Sequence, residues 1–335
     1  MTPEGTFVGP GLVSLLACPR CDASLEATAD GVRCPAGHAF GRHDGYLDMS
    51  GESQYGPLTT RTAESFGFEW NTFDDVRTED EQFAQTYFRD VDLGSLAERV
   101  VLDAGCGKGR YTRFLAGHAG ALVALDGSDA VVAAARNLAS YPNVLVLKAD
   151  LRHAPLRPAS VDFVSCLGVL HHLEDPEEGF RRLRRLLAPG GTMLIYVYSS
   201  AGGAGIRRVG LAVADVLRRV TVRLPLRALR VLSVPIAASL YVGIVQLGRL
   251  GDRWRIGPLS RLPMSAYRGK SFRSLELDTF DRFSAPIEHR YAWPELSRWF
   301  ARAGLDVVSV REDAGWFVVA SDRGAPPVAP VPPSA

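Results

Sequence analysis

Short β-branched apolar runs alternate with helix-like segments through the middle of the chain. The runs are almost continuously apolar, which is typical of strands buried on both faces of a parallel sheet. The predicted strands are Val100–Asp103, Leu122–Asp126, Val144–Asp150, Val161–Leu167 and Thr192–Tyr198, with helix-like stretches such as Asp129–Ala139 and Glu177–Leu187 between them. Two late runs, LDVVSVRED and WFVVASD, add an antiparallel hairpin. The pattern predicts an α/β fold with a doubly wound, seven-stranded, mostly parallel sheet, whose ligand binds at the carboxyl ends of the strands.

The segments around this sheet differ in composition and divide the chain into five parts. They are a Cys/Gly-rich module (12–50), a polar, aromatic-dotted helical lead-in (51–98), the α/β core (99–200 and 282–322), an Arg-rich apolar helical insertion (201–281) and a Pro/Ala-rich tail (323–335). We expect the tail to be disordered, because its composition offers too little apolar surface to form a core.

A glycine-rich turn, VLDAGCGKGR, follows the first predicted strand. Its spacing fits neither a P-loop, which needs Gly-x4-Gly-Lys-Ser/Thr, nor a dinucleotide loop, which needs glycine where Arg110 stands. Asp103 ends the strand before the turn, where it would repel a pyrophosphate, and Asp126 and Asp150 end the next two strands. Acids at three successive strand ends favour a positively charged nucleoside without phosphates, which is S-adenosylmethionine.

With these motifs the chain resembles the class I S-adenosylmethionine-dependent methyltransferases of type 11. VLDAGCGKGR is similar to the first motif of that family and VALDGSDA to the second. LKADLRHAPLRPASVDFVSCLGVLHHLEDP is similar to the third and fourth motifs, and RLLAPGG to the turn before the fifth strand. The resemblance implies a Rossmann-like methyltransferase fold, S-adenosylmethionine as cofactor and a transferase activity.

The resemblance also implies a cofactor pocket formed by the turn, the strand ends and one aromatic residue of the lead-in. Its residues are Asp103, Gly105, Cys106, Gly107, Asp126, Gly127, Asp150, Leu151, Leu167 and Trp70. Asp126 is expected to bind the ribose, and Asp150 the adenine amino group. In the lead-in segment SFGFEWNTF, Trp70 or Phe66 covers the sulfonium by a cation–π contact or, alternatively, packs at the edge of the sheet.

The N-terminal module contains a C-x2-C pair and a C-x3-H pair with a twelve-residue spacer. Cys18, Cys21, Cys34 and His38 have the spacing of a tetrahedral zinc site, with His43 as a substitute for His38. Four protein ligands leave no open position, so the Zn2+ is expected to be structural. The alternative is that these cysteines are simply buried. The module resembles the zinc ribbons of some bacterial methyltransferases, including ribosomal-RNA guanine methyltransferases.

The insertion contains an uncharged run of eighteen residues, Val231–Gly248. This length approaches the roughly 20 residues of a membrane span, but Pro235, Gly243 and Gln246 interrupt the run. Fourteen basic residues against two acids lie between Arg207 and Arg273. Three interpretations stay open: a helical substrate cap, as the resemblance implies, a surface within 206–250 that contacts a membrane or lipid, and a true span.

Methyl transfer needs little more than in-line positioning of the acceptor against the activated methyl carbon. A base is required only for a hydroxyl or a protonated amine. His171 and His172, directly after the fourth predicted strand, are the first candidates, and His289 and Tyr291 are the second. The alternative for the histidine pair is local polarity and packing.

The totals are those of an ordinary soluble protein, with a net charge of +1 and 47% hydrophobic residues. The clustered cysteines and the absence of a secretory pattern at the first residues predict a cytoplasmic protein, peripheral to the inner face of the membrane if the insertion contacts lipid. The leading hypothesis is methylation of a small molecule, lipid-linked or a secondary metabolite. The second is an rRNA or tRNA base methyltransferase guided by the ribbon, although the charges of the ribbon nearly balance. The third is a non-catalytic scaffold, which the intact acids and glycines argue against.

Overall fold

The central sheet is doubly wound. In the computed structural model, which describes residues 10–51, 56–200, 216–313 and 315–322, the strands are β1 (Glu26–Thr28), β2 (Gly31–Arg33), β3 (Ala39–His43), β4 (Tyr46–Asp48), β5 (Val100–Ala104), β6 (Ala121–Asp126), β7 (Val144–Lys148), β8 (Val161–Leu167), β9 (Leu187–Tyr198), β10 (Leu305–Glu312) and β11 (Gly315–Asp322). Their order is β1-β2-β3-β4-β7-β6-β5-β8-β9-β11-β10. Strands β5 to β9 pair in parallel, whereas β11 pairs antiparallel with β9 and β10. The prediction of a doubly wound, mostly parallel sheet is confirmed, and its switch point lies between β5 and β8.

The described part of the sheet has eleven strands rather than the seven expected. The seven predicted strands are β5 to β11, and the N-terminal module adds β1 to β4 at one edge. There, β4 pairs in parallel with β7, so that Leu47 lies opposite Leu147. The module is therefore a continuation of the sheet, because its last strand satisfies the backbone groups of an edge that would otherwise be open.

Helices cover the strands and fill the insertion. They are α1 (Pro10–Val13), α2 (Pro57–Thr72), α3 (Thr78–Tyr87), α4 (Arg110–Ala116), α5 (Val131–Leu138), α6 (Pro176–Leu186), α7 (Leu226–Leu240), a π-helical segment (Tyr241–Gln246), α8 (Leu247–Trp254), α9 (Gly257–Ser260), α10 (Phe272–Ser284) and α11 (Trp293–Arg302). Short 3-10 turns lie at Leu93–Leu96, Leu151–His153, Leu170–His172 and Ser265–Tyr267. The predicted tail (323–335) and residues 201–215 lie outside the described residues.

Helix α6 shows how the local sequence sets these boundaries. The Asp175 carboxylate accepts a hydrogen bond from the Glu178 N–H at 2.9 Å, which caps the first turn. Pro176 occupies the first helical position, where its missing N–H costs nothing. Acids in the first turn and arginines in the last turn match the helix dipole. Phe180 and Leu183 are fully buried, so this helix covers one face of the sheet.

Alternate strand residues enter two separate cores. Leu102 and Val123 belong to the cluster on one face of the sheet, whereas Val101 and Leu122 belong to the cluster on the other. All four side chains are fully buried. Because successive residues of a strand point to opposite faces, a sheet covered on both faces needs apolar residues at every position. This arrangement explains the continuous apolar runs.

The chain forms two compact units, and the second, Gly203–Pro286, is helical in its described residues. Its main element is the helical run Leu226–Trp254, formed by α7, the π-helical segment and α8 and called the apolar helix below. By length and composition this helix could cross a membrane: it has 29 residues, and 22% of its most apolar window is buried. Within its unit it is therefore far more exposed than a buried helix.

Candidate functional site

Three glycines in the turn between β5 and α4 have left-handed backbone conformations. Gly105, Gly107 and Gly109 have φ angles of +84°, +55° and +82°, which only glycine adopts without a steric penalty. A Cβ at Gly105 would lie 2.2 Å from Cγ2 of Val169, and one at Gly107 would lie 3.0 Å from Nε1 of Trp70. The turn needs glycine for its backbone conformation and because a Cβ would come too close to the side chains of Val169 and Trp70, which face the turn.

The backbone amides of this turn already donate hydrogen bonds within the protein. The N–H groups of Gly105 and Cys106 both donate to the Leu125 carbonyl, at 2.7 and 3.0 Å. The Gly107 N–H donates to Oδ2 of Asp126 at 2.9 Å. A phosphate-binding loop instead points several N–H groups at its ligand. The structure therefore favours a ligand that does not present a phosphate to this turn.

Two acids lie beneath and beside the turn, of which Asp103 is buried and Asp126 is half-buried. Asp103, at the end of β5, accepts a hydrogen bond from Oγ1 of Thr112 at 2.6 Å, and burial raises its pKa to about 6. Asp126 accepts from Gly107 and, at 2.8 and 2.7 Å, from the N–H and Oγ of Ser128. Burial raises the pKa of Asp126 as well. Two carboxylates in a desolvated region create a negative potential that stabilises a bound cation.

Asp150 lies two residues beyond β7 rather than within it, and its carboxylate has partners. It caps the following 3-10 turn by accepting from the Arg152 N–H at 2.9 Å, and it forms an ion pair with Nη2 of Arg152 at 2.8 Å. Burial alone would raise the pKa of Asp150, but the hydrogen bonds from Arg152 hold it below its ordinary value. An adenine amino group at this position would share the carboxylate with Arg152, a partner that the sequence did not indicate.

The other predicted cofactor residues follow the same strand ends. Leu167 closes β8 and is buried, Leu151 is buried in the 3-10 turn, and Gly127 is half-buried after β6. Cys106 is buried within the turn, where desolvation and the charge of Asp126 raise the pKa of its thiol well above the ordinary value. Its sulfur is therefore a neutral thiol at physiological pH.

Residues of the lead-in contact the turn on its outer side, and the sequence analysis missed these contacts. Nζ of Lys108 is buried and donates to the Asp75 carbonyl at 2.6 Å, and it lies 3.6 Å from Asp80 on α3. The guanidinium of Arg110 lies 5.0 Å from the centre of the Trp70 ring. Trp70 thus lies at the turn, and Lys108, whose Nζ is 5.7 Å from the centre of the Trp70 ring, is a second cation over that ring besides Arg110. Lys108 and Arg110 stood out in the sequence only as departures from phosphate-loop patterns.

The two histidines form a buried aromatic group directly after β8. The ring of His171 lies 4.0 Å from Tyr198 and 4.3 Å from His172, and the Phe66 ring lies 4.9 Å from His172. Among the described residues, neither ring nitrogen of His171 has a hydrogen-bond partner. Burial lowers the pKa of His171 well below its ordinary value, so its ring is neutral. Tyr198, which ends a predicted strand, was not recognised from the sequence as a member of this group.

A short hydrogen bond sets the tautomer of His172. Its Nδ1 lies 2.6 Å from the carbonyl oxygen of Ile287. A carbonyl only accepts, so Nδ1 carries the proton and Nε2 of the neutral ring keeps a lone pair. This is the tautomer that a general base requires.

The two residues of the second pair of candidate bases differ in burial. His289 is exposed, and its backbone N–H donates to the His171 carbonyl at 2.8 Å. Tyr291 is buried, and its ring packs against Trp299 at 4.9 Å. Burial also raises the pKa of Tyr291. Tyr291 is thus a core residue, because α11 supplies the aromatic surface on which its ring packs, and its role as a base stays a prediction.

The central part of this region matches a known family. A family model described as a methyltransferase domain matches residues 102–195, which run from β5 into β9. We call this part of the chain, which is similar to that family, the methyltransferase domain below. It contains the glycine turn, the acids and the histidine pair.

Two sequence relatives match about a third of the chain. A probable S-adenosylmethionine-dependent methyltransferase of Mycolicibacterium smegmatis is 39% identical over 99 residues, covering 30% of this chain and 38% of that protein. An uncharacterized protein of a Synechococcus strain is 38% identical over 120 residues, covering 34% of this chain and 29% of its own length. Among solved structures, a SAM dependent methyltransferase from Aquifex aeolicus covers 76% of this chain and 97% of its own at 17% identity, with a TM-score of 0.44. The chain thus spans well under half the length of the two sequence relatives.

The cysteine cluster lies N-terminal to the methyltransferase domain, and its ligand atoms are already together. One atom from each of Cys18, Cys21, Cys34 and His38 lies within 4.8 Å of the others. The Cys21 and Cys34 sulfurs are 3.8 Å apart, and Nδ1 of His38 is 3.4 Å from the sulfurs of Cys18 and Cys34. The proposed substitute ligand, His43, is exposed and stacks on Tyr46 instead.

These spacings fit a tetrahedral zinc ion. Bonds of about 2.3 Å to sulfur and about 2.0–2.1 Å to nitrogen place two sulfurs about 3.8 Å apart and a sulfur about 3.6 Å from a nitrogen. The turns support the geometry, since the Asp22 N–H donates to the Cys18 carbonyl at 2.8 Å and the Gly37 N–H donates to the Cys34 carbonyl at 2.9 Å. Three thiolates and an imidazole are a donor set that suits zinc.

Proposed function

We propose that the protein is an S-adenosylmethionine-dependent methyltransferase that acts on a small molecule, either lipid-linked or a secondary metabolite. The observation that carries this proposal is the glycine turn of the methyltransferase domain, which uses its amides internally and is flanked by the buried Asp103 and the half-buried Asp126. Such a site disfavours phosphates and favours a cationic nucleoside.

When bound, the cofactor supplies a methyl carbon that the sulfonium already activates. The protein then has to hold the acceptor in line with that carbon and exclude water. In our proposal Asp103 and Asp126 provide the negative potential, and Val169 and Trp70 confine the turn. In our proposal Nε2 of His172 accepts a proton when the acceptor is a hydroxyl or a protonated amine.

The charges of the N-terminal module support a small-molecule acceptor over RNA. Its exposed arginines, Arg20, Arg33 and Arg42, are balanced by the exposed acids Asp22, Glu26 and Asp30. An RNA-gripping surface concentrates positive charge, because phosphate neutralisation supplies most of its affinity. We infer that the zinc ribbon is structural. Copurification of RNA with a steep salt dependence would instead favour the RNA hypothesis.

We further propose that Zn2+ binds Cys18, Cys21, Cys34 and His38. Four protein ligands complete a tetrahedron, so the metal has no position for substrate and contributes to folding. Because a site of this kind needs reduced cysteines, we also propose a reducing, cytoplasmic compartment.

The affinity for the cofactor is expected to depend on pH. Because the pKa of Asp103 is about 6, its carboxylate loses its charge as the pH falls below 6, and the attraction for a sulfonium weakens. We expect the dissociation constant of S-adenosylmethionine, measured by calorimetry, to rise up to about tenfold per pH unit below 6.

S-adenosylhomocysteine is the matched control, because it lacks the sulfonium charge and is expected to show a much weaker pH dependence. Equal pH dependence of the two ligands would contradict the electrostatic role of the acids. An absence of binding at millimolar concentrations of either ligand would remove the proposed activity itself.

A substitution at His172 tests the proposed base. Asn can keep the donor to the Ile287 carbonyl while removing the Nε2 lone pair, so His172→Asn is expected to preserve cofactor affinity and to lower turnover about 10²–10⁴-fold. Turnover is followed as S-adenosylhomocysteine formed with an extract of the small molecules and lipids of cells as the source of acceptor. Unchanged turnover, or equal losses of affinity and turnover, would end the base hypothesis.

A further inference from the structure

The apolar helix exposes one long face without charge. Leu229, Ser233 and Ala237 recur every four residues and are buried. The opposite face exposes large apolar side chains: Val231, Leu232, Val234, Ile236, Val242, Leu247, Leu250 and Trp254. Val231 is 71% exposed and Val242 is 66% exposed. No charged residue lies between Val231 and Gly248, a length of about 27 Å at 1.5 Å per residue.

Positive charge surrounds this face. Residues 216–286 contain thirteen basic and four acidic residues, a net charge of +9. Arg219, Arg223 and Arg227 are exposed before the uncharged run, and Arg253 and Arg255 are exposed after it. Two of the acids, Asp252 and Glu276, form ion pairs with other arginines of the same unit. The charge at both ends of the face is therefore open to anionic groups.

The packed side of the apolar helix carries buried polar and charged groups. Arg230 forms an ion pair with Glu276 on α10. The Arg249 guanidinium donates to the Arg268 carbonyl at 2.5 Å and to the Lys270 carbonyl at 2.8 Å. Helix α10 packs on the middle of the apolar helix, because Leu275 shares a cluster with Ala237 and Val245. Its charged residues Arg273, Glu276 and Asp278 would enter the hydrocarbon together with a helix that crossed a bilayer, and charged side chains are costly there. The fold of this unit therefore disfavours a span and fits a helix that lies in the plane of the interface.

We propose that this surface, consisting of the exposed face of the apolar helix and the flanking arginines, docks on an anionic lipid bilayer. The apolar side chains enter the boundary between headgroups and acyl chains. The arginines bind the negatively charged headgroups. Trp254, 68% exposed at the end of the helix, lies where interfacial aromatic residues are favoured.

The net charge favours an anionic bilayer over a second copy of the chain as the partner of this face. A symmetric dimer through this face would bring together two copies of residues 216–286, each with a net charge of +9. These copies repel each other. An anionic bilayer instead gains from every arginine at the surface. The measurement below needs neither cofactor nor acceptor, so its outcome is independent of the proposed methyl transfer.

Flotation of the full chain with lipid vesicles tests the proposal. We expect binding to vesicles of phosphatidylcholine with 30% phosphatidylglycerol that is at least tenfold stronger than binding to pure phosphatidylcholine. The double variant Val231→Ser/Val242→Ser and the triple variant Arg219→Gln/Arg223→Gln/Arg227→Gln are each expected to lower the bound fraction at least fivefold. Alkaline carbonate is expected to release the bound protein, as it does for a peripheral protein.

Val308→Ser/Val310→Ser is the matched control, because these valines are also exposed but lie on β10 of the other unit. It should bind vesicles like the wild type, and thermal unfolding confirms that all variants fold. Binding equal to wild type in both surface variants, no binding to either vesicle, or resistance to carbonate would each overturn the proposal. A dimer that Val231→Ser/Val242→Ser dissociates, together with no vesicle binding, would assign the face to self-association instead.

Discussion

Replacing Gly105 with alanine is expected to abolish cofactor binding and to destabilise the protein by about 2–5 kcal/mol. The left-handed conformation at φ +84° costs a residue with a Cβ about 1–2 kcal/mol. The overlap of that Cβ with Val169 at 2.2 Å adds about 1–3 kcal/mol of overpacking. Relief of the overlap displaces the turn from the ends of β5 and β8. Calorimetric titration with S-adenosylmethionine and thermal unfolding measure the two effects.

Two further variants separate the cost of the left-handed backbone conformation from the cost of the steric overlap. Gly304→Ala has the same kind of conformational cost, with φ +70° and nothing within 4 Å of the added Cβ, so it should lose only about 1–2 kcal/mol and keep full affinity. Val169→Ala combined with Gly105→Ala should recover part of the loss of Gly105→Ala. If Gly105→Ala retains wild-type affinity, the close packing at the turn has no bearing on binding.

Removing the proposed zinc is expected to unfold the N-terminal module and to weaken the whole first unit. Structural zinc in small domains contributes about 10–16 kcal/mol of apparent binding free energy. The core of the module is continuous with the main core, since Leu47 and Phe40 share a cluster with Leu145 and Leu147. We expect about one zinc per chain by elemental analysis. A chelator that removes it should lower the melting temperature and expose apolar surface to a fluorescent probe.

The two histidines of the module provide a matched pair for this experiment. His38→Ala should lose most of the metal, whereas His43→Ala should keep it, because His43 is exposed and stacks on Tyr46 rather than joining the cluster. Metal-free wild-type protein, or equal loss of metal in both variants, would show that Cys18, Cys21, Cys34 and His38 are not a zinc site.

The strands of the domain were predictable because a strand that is buried on both faces forms a continuous apolar run in the local sequence. Val161–Leu167 was predicted with the bounds that the structure gives β8, since a strand covered on both faces allows few polar residues. The extension of the sheet by the N-terminal module was not predictable. Strand β4 has only three residues, and its pairing with β7 joins segments about one hundred residues apart in sequence.

The positions of the candidate site residues were predictable, but their partners were not. The acids were identified from their places after strands, which is a local pattern. The hydrogen bond from Thr112 to Asp103 and the contacts of Lys108 with the lead-in depend on tertiary structure. The pairing of Arg152 with Asp150 is local, but it depends on the 3-10 turn that follows β7. For the same reason the burial of Tyr291 was not predictable, because nothing in its neighbourhood along the chain shows that Trp299 covers it.

The buried carboxylate of Asp103 links the lifetime of the protein to its ligand. With a pKa of about 6 in the folded chain and about 3.9 when unfolded, the group favours folding only in its protonated form. That contribution to the free energy of unfolding is fully present below about pH 4 and is lost as the pH rises through 6. At neutral pH the loss is about 3 kcal/mol. A bound sulfonium offsets the loss. Unliganded molecules therefore unfold and are degraded more readily, so we expect cellular abundance to follow the supply of S-adenosylmethionine.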